Sequence, residues 1–96
     1  MTRDDIVTRY RWQFRHGREI DASVPDAWLP AVGELCAAIE AAVPPIEQAG
    51  FYWLDVKEKR GALAVDYVVP FSAADAVDAQ VDQAIERVDT QIRARK

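Results

Sequence analysis

The sequence predicts an α+β fold: a short N-terminal helix, a long helix, an antiparallel β-hairpin and a long C-terminal helix packed on one sheet face. Three observations carry this. Residues 26–43 and 72–95 place apolar side chains at steps of three and four, the period of a helix with one buried face. Residues 50–59 and 62–69 alternate apolar and polar around a charged stretch containing Gly61, the mark of a hairpin. The chain has 96 residues, half of them apolar, enough for one domain with one modest core.

The elements follow in order. Residues 3–15 read two ways: Ile6, Val7, Tyr10 and Phe14 fall at helical spacing, whereas Tyr10, Trp12 and Phe14 alternate as in a strand. Asp4 and Asp5 suit the positive end of a helix dipole, so a helix over 3–11 is expected, followed by an irregular aromatic segment. Residues 16–24 read as a loop. In 26–43 the buried face is Trp28, Val32, Leu35, Cys36, Ile39 and Val43, with Asp26 as the expected cap. Pro44 and Pro45 end this helix, because neither donates an amide hydrogen bond and Pro44 disfavours a helical Val43. Gly33 within it costs about 1 kcal/mol relative to alanine, which a close helix crossing would explain.

In the hairpin, Tyr52, Leu54 and Val56 are expected on one face with Leu63, Val65, Tyr67 and Val69. A two-residue Arg60-Gly61 turn would set Asp55 opposite Asp66, an unfavourable like-charge pair. A four-residue loop over 58–61 avoids this and is the expected register, with Gly61 supplying a positive φ. The last helix, 72–95, has Ser72 as its expected cap with Asp75 three residues on. Its stripe is Val77, Val81, Ala84, Ile85, Val88 and Ile92, and Arg93, Arg95 and Lys96 suit its negative end.

Charge is uneven. Residues 1–18 hold five arginines against Asp4 and Asp5, a net of +3. Residues 19–96 hold seven Lys or Arg against fourteen Asp or Glu, a net of −7. The body therefore repels a phosphate backbone, and only the N-terminal segment could attract one. Apolar runs are far shorter than the roughly 20 residues that span a bilayer. The start, Met1 to Tyr10, shows no apolar core of a secretory signal. Cys36 is the single cysteine, which suits a reducing compartment. A cytoplasmic protein with no membrane association is expected.

The chain also resembles a group of small, mostly uncharacterised phage and prophage proteins. The matching stretches are Tyr10–Phe14, Pro25–Ile39 with Trp28 as the tryptophan of a GDGW..L...L pattern, and Val56–Tyr67 against a VKEKFG.LRFY pattern. Val56-Lys57-Glu58-Lys59 with Gly61 and Leu63 is the closest part. Ala27 stands where the group has glycine, Arg60 where it has an aromatic residue, and Ala64-Val65-Asp66 in place of an Arg-aromatic-aromatic run. Many members end in a cysteine pair; this chain has Cys36 alone. The resemblance implies the fold and a phage or prophage origin, and no activity.

No residue pattern specifies catalysis or a metal. His16, the only histidine, has no partner ligand or nucleophile at a suggestive spacing and reads as a solvated loop residue. Cys36 lies on an apolar stripe, a setting unlike that of a reactive thiolate. Asp55 and Asp66 could meet on the outer sheet face, with Lys57 at hand to neutralise one. Arg9, Arg11, Trp12 and Arg15 alternate base and aromatic as single-strand binders do; the competing reading has Tyr10, Trp12 and Phe14 plugging the core. Phe51, Trp53 and Val68 would project from the face opposite the main core. There they form an apolar patch that marks an interface, or they lie under the N-terminal segment.

The function expected is therefore a non-enzymatic protein-binding module of phage or prophage origin that docks on a host or phage protein. An inhibitor of a host defence system, such as an anti-CRISPR protein, falls within this class. Candidate interface residues are Phe51, Trp53, Asp55, Asp66 and Val68, with a two-fold homodimer formed through the patch. The alternative is a nucleic-acid accessory protein using residues 9–18. A small enzyme is the third reading, without a nucleophile–base pair or ligand set to support it. No cofactor or metal is expected.

Overall fold

The computed structural model describes residues 2–15 and 17–94. His16, Arg95 and Lys96 lie outside the described residues. Helix α1 is Arg3–Arg9, opened by a capping box in which Thr2 and Asp5 satisfy each other's backbone amides. A turn of 3₁₀ helix, Arg11–Gln13, follows, so the N-terminal segment is helical and not a strand. A second such turn, Asp26–Trp28, leads into helix α2, Leu29–Ala42. Asp26 does not cap it: its carboxylate takes the Arg3 guanidinium at 2.8 Å, tying α1 to the start of this unit.

Helix α2 stops where the prolines require, with Val43 extended. Pro44 and Pro45 then start a 3₁₀ turn, Pro45–Gly50, that leads into strand β1, Tyr52–Lys59. Strand β2 is Ala62–Val68. After it Pro70 introduces a further 3₁₀ turn, Phe71–Ala73, and helix α3, Ala74–Ala94, closes the fold. Ser72 does not cap α3; its hydroxyl donates to Glu47 across to the Pro45–Gly50 turn. The expected α+β order is the one observed, with α3 packed on α2 and on β2.

The hairpin corrects the expected register. Lys59 pairs with Ala62, so the turn is the two residues Arg60 and Gly61, and Asp55 stands opposite Asp66. Both turn residues have positive φ, 56° and 81°, the backbone of a type I′ turn. That turn matches the right-handed twist of the strands. The carboxylates are relieved locally: Lys57 Nζ lies 3.9 Å from Asp55, and Asp66 accepts the Tyr67 amide at 3.0 Å. A like-charge pair at the solvent surface costs little against a turn that fits.

A second correction concerns the faces. Trp53 pairs with Tyr67 and Asp55 with Asp66, so Leu54 is an extra residue on β1, a β-bulge. The bulge shifts the alternation by one residue. Phe51 and Trp53 therefore join Val56, Leu63, Val65 and Tyr67 on the inner face, while Tyr52 and Leu54 leave it.

The core sits between this face and the helices. It contains Ile6, Tyr10, Phe14, Val24, Leu35, Cys36, Ile39, Val77, Ala84 and Val88 beside Phe51 and Trp53. The rings of Phe51, Trp53 and Tyr67 meet one another at 5.2–5.9 Å, and Phe14 lies 6.4 Å from Trp53. The α3 stripe predicted from spacing lies on this side, with Ile85 and Ile92 half-buried at its margins.

Candidate functional site

The anticipated interface patch is not a surface. Phe51 is 0% and Trp53 1% exposed, and the segment covering them is the N-terminal one. Gln13, fully buried, accepts from the Trp53 indole at 3.0 Å and donates to the Cys36 carbonyl at 2.8 Å. Trp12 packs edge-on against Phe51 at 6.0 Å. Only Val68 of the three reaches solvent. Self-association through Phe51 and Trp53 thus loses its basis. The reason is the bulge at Leu54, which a strict period of two cannot register.

The basic and aromatic segment is likewise turned inward. Tyr10 and Phe14 are buried, so their faces are not offered to bases. Arg9 pairs with Glu40 at 3.2 Å, and Trp12 Nε1 donates to the same carboxylate at 3.3 Å. These contacts, Arg9 first, hold the Glu40 carboxyl below its ordinary range. Arg15 donates to the carbonyls of Ala49 and Phe51 at 2.8 and 2.7 Å and lies over the Tyr52 ring. Arg11 alone of the four candidates is exposed without such an engagement among the described residues.

Cys36 is fully buried, and burial pushes its thiol up to about 12, the opposite of nucleophile activation. Asp55 and Asp66 are brought together, as the two-residue turn requires, on an open face where Lys57 already neutralises the first. Among the described residues no group of three or more His, Cys, Asp or Glu could hold a metal ion. An open depression on α3, lined by Gln83, Glu86, Arg87 and Thr90, has Arg87 already engaged by Glu34 of α2. No described helix is long and apolar enough to cross a membrane.

What does stand out is at the other end of the hairpin. Ile46 is 91% and Phe71 98% exposed. Each sits on a 3₁₀ turn begun by a proline, and the two turns are joined twice. The Ser72 hydroxyl donates to Glu47, and Gly50 meets the Pro70 ring so closely that a Cβ there would stand 3.0 Å from it. Ile46 and Phe71 each immediately precede one member of the Glu47–Ser72 hydrogen bond. Sequence reasoning missed both. The signal was present as large apolar residues beside prolines, off any amphipathic stripe.

Also missed was a stripe of carboxylates on α3. Asp75, Asp78, Asp82, Glu86 and Asp89 are spaced three, four, four and three apart, hence on one helix face. Asp78 accepts the Tyr67 hydroxyl, placing this face beside β2. Burial, then Asp78, Asp82 and Asp66, drive the Tyr67 phenol above its ordinary range. Comparisons of the chain with protein-family models, with curated proteins and with solved structures gave no significant match.

Proposed function

We propose that the protein is a non-enzymatic binding module that docks on another protein through Ile46 and Phe71. The observation that carries this is their near-complete exposure on two joined, proline-started turns. Burying a side chain of this size yields about 1.5–3 kcal/mol, so both leave free energy for a partner to recover. Proline-fixed backbones reduce what ordering the surface would cost on binding. Aromatic and aliphatic anchors in rigid frames are the features that dominate protein interfaces.

The resemblance to small phage proteins supports a host or phage protein in the cytoplasm as the partner. The acidic body also fits an inhibitor of a host defence system within that class. The reading needs no second copy of the chain. The test is affinity enrichment from bacterial host lysate with the wild type and with an Ile46→Ser, Phe71→Ser double variant. A protein enriched by the wild type should fall about tenfold or more with the variant, at an unchanged urea midpoint. Equal enrichment by both would remove the reading.

A further inference from the structure

The two turns that carry Ile46 and Phe71 are nearly free of charge. Residues 41–54 hold one charged side chain, Glu47, and residues 67–77 hold one, Asp75. No Lys or Arg occurs in 19–56 or in 61–86, so the sequence around both anchors supplies carboxylates alone. Glu47 directly follows Ile46 and accepts the hydroxyl of Ser72, the residue after Phe71, so its carboxylate lies at the seam between the turns. Asp75 is exposed in the first turn of α3, four residues after Phe71. Arg15 comes to the Pro45–Gly50 turn from outside, at the end that leads into β1. There it donates to the carbonyls of Ala49 and Phe51 and lies over the Tyr52 ring. The surface therefore has an apolar centre, extended by exposed Pro44, Pro45 and Ala49, with Glu47 at its seam and Asp75 on its α3 side.

Shape narrows the choice of occupant. Phe71 makes almost no contact with its own chain, so its ring stands clear of the surface. A flat partner would leave the sides of the ring wet. An aromatic side chain buries its full area, roughly 150–250 Å², only between walls.

We infer that the partner presents a concave apolar cleft edged by Lys or Arg: Phe71 and Ile46 enter the cleft, and its cations meet Glu47 and Asp75. This rests on docking through Ile46 and Phe71 and adds the chemistry of what receives them. A second copy of the chain fits poorly. Its anchors project in the same way and cannot enclose these. The four side chains together remove at most roughly 1,000 Å², short of the roughly 1,200 Å² at which stable interfaces begin. Carboxylates would also face carboxylates. An anionic lipid surface meets the same repulsion.

The probes are three ring-shaped sugars with one apolar cavity and different rims: β-cyclodextrin, its per-amino form and its per-carboxylate form. Binding to the full chain is followed by amide chemical shifts at moderate salt. The amino form should bind at Phe71 about fivefold more tightly than the neutral form, and the carboxylate form more weakly than both. Glu47→Gln with Asp75→Asn should bring the three affinities to within about twofold, and Phe71→Ser should remove binding at this end. In the protein itself, the partner segment joined to a photo-crosslinking analogue at Phe71 should carry Lys or Arg beside its apolar residues.

Equal binding of the three sugars, or a crosslinked segment bordered by Asp or Glu, would overturn the cationic rim while leaving docking intact. Binding of the amino form that persists in Phe71→Ser would mean adhesion to the α3 carboxylates and overturn the inference. So would a dimer in sedimentation at about 100 micromolar, or retention on phosphatidylcholine vesicles, that Phe71→Ser abolishes. No shift at Phe71 with any of the three would count against the anchors themselves, and the inference would fall with them.

Discussion

The indole nitrogen of Trp53 donates to the side-chain oxygen of Gln13 at 3.0 Å, in a place from which water is excluded. Through its other end Gln13 holds the Cys36 carbonyl, so one amide pins the N-terminal segment, the hairpin and α2 together. Gln13→Leu keeps the size of the side chain but leaves the indole without an acceptor. A loss of about 1–3 kcal/mol is expected, read as a lower urea midpoint at unchanged slope. An unchanged midpoint would show that the contact is not formed in solution.

Trp53 itself separates a core position from an interface position. At an exposed dimer patch, Trp53→Asp would give a folded monomer. With Trp53 buried beneath Phe14 and Gln13, the same change places a carboxylate in the core, and Trp53→Ala alone should cost about 3–5 kcal/mol. Circular dichroism should show Trp53→Asp unfolded. A folded, monomeric variant would contradict the packing described.

The turn makes opposite predictions for its two residues. Arg60 holds φ 56° and Gly61 φ 81°. Arg60→Asn introduces a residue that tolerates this region and should stabilise the hairpin by roughly 0.5 kcal/mol. Gly61→Ala should cost about 1–2 kcal/mol. Thermal unfolding of both variants checks the pair; a harmless Gly61→Ala would contradict the positive φ that the turn assigns to this position.

Much of the fold was legible because its signals are periodic. The stripe Val77, Val81, Ala84, Val88 and the proline stop after Val43 depend only on local rules, and both hold. The Leu54 bulge was not legible. Nothing local distinguishes it from a regular strand residue, and its cause is global: only a shifted phase lets Phe51 and Trp53 join Val56 in one core. The register was not legible for a related reason: the Arg60-Gly61 turn geometry outweighs the repulsion of Asp55 and Asp66 at the surface, and charge pattern alone points the other way. The two exposed apolar residues escaped because Ile46 and Phe71 belong to no stripe, and their exposure follows from two turns distant in sequence packing together.

Glu40 sets a pH dependence. Arg9 and Trp12 lower its folded-state value below the ordinary 4.5, so its contribution is present above that value and is lost as pH falls through the folded one. Asp5, held by Thr2, and Asp21, held by Ser23, act in the same direction. The urea midpoint should stay level down to about pH 5 and then fall. The gap between wild type and Glu40→Gln should narrow over the same acid range. A gap that stays constant would exclude the Arg9–Glu40 contact as its source.

The docking account meets its most direct test at Phe71. A photo-crosslinking phenylalanine analogue placed there, in protein produced in a bacterial host, should give a defined adduct with one protein upon irradiation. The same analogue at Ala37, on the exposed side of α2, should give none. No adduct at Phe71, or the same adduct from both positions, would contradict docking through the apolar end.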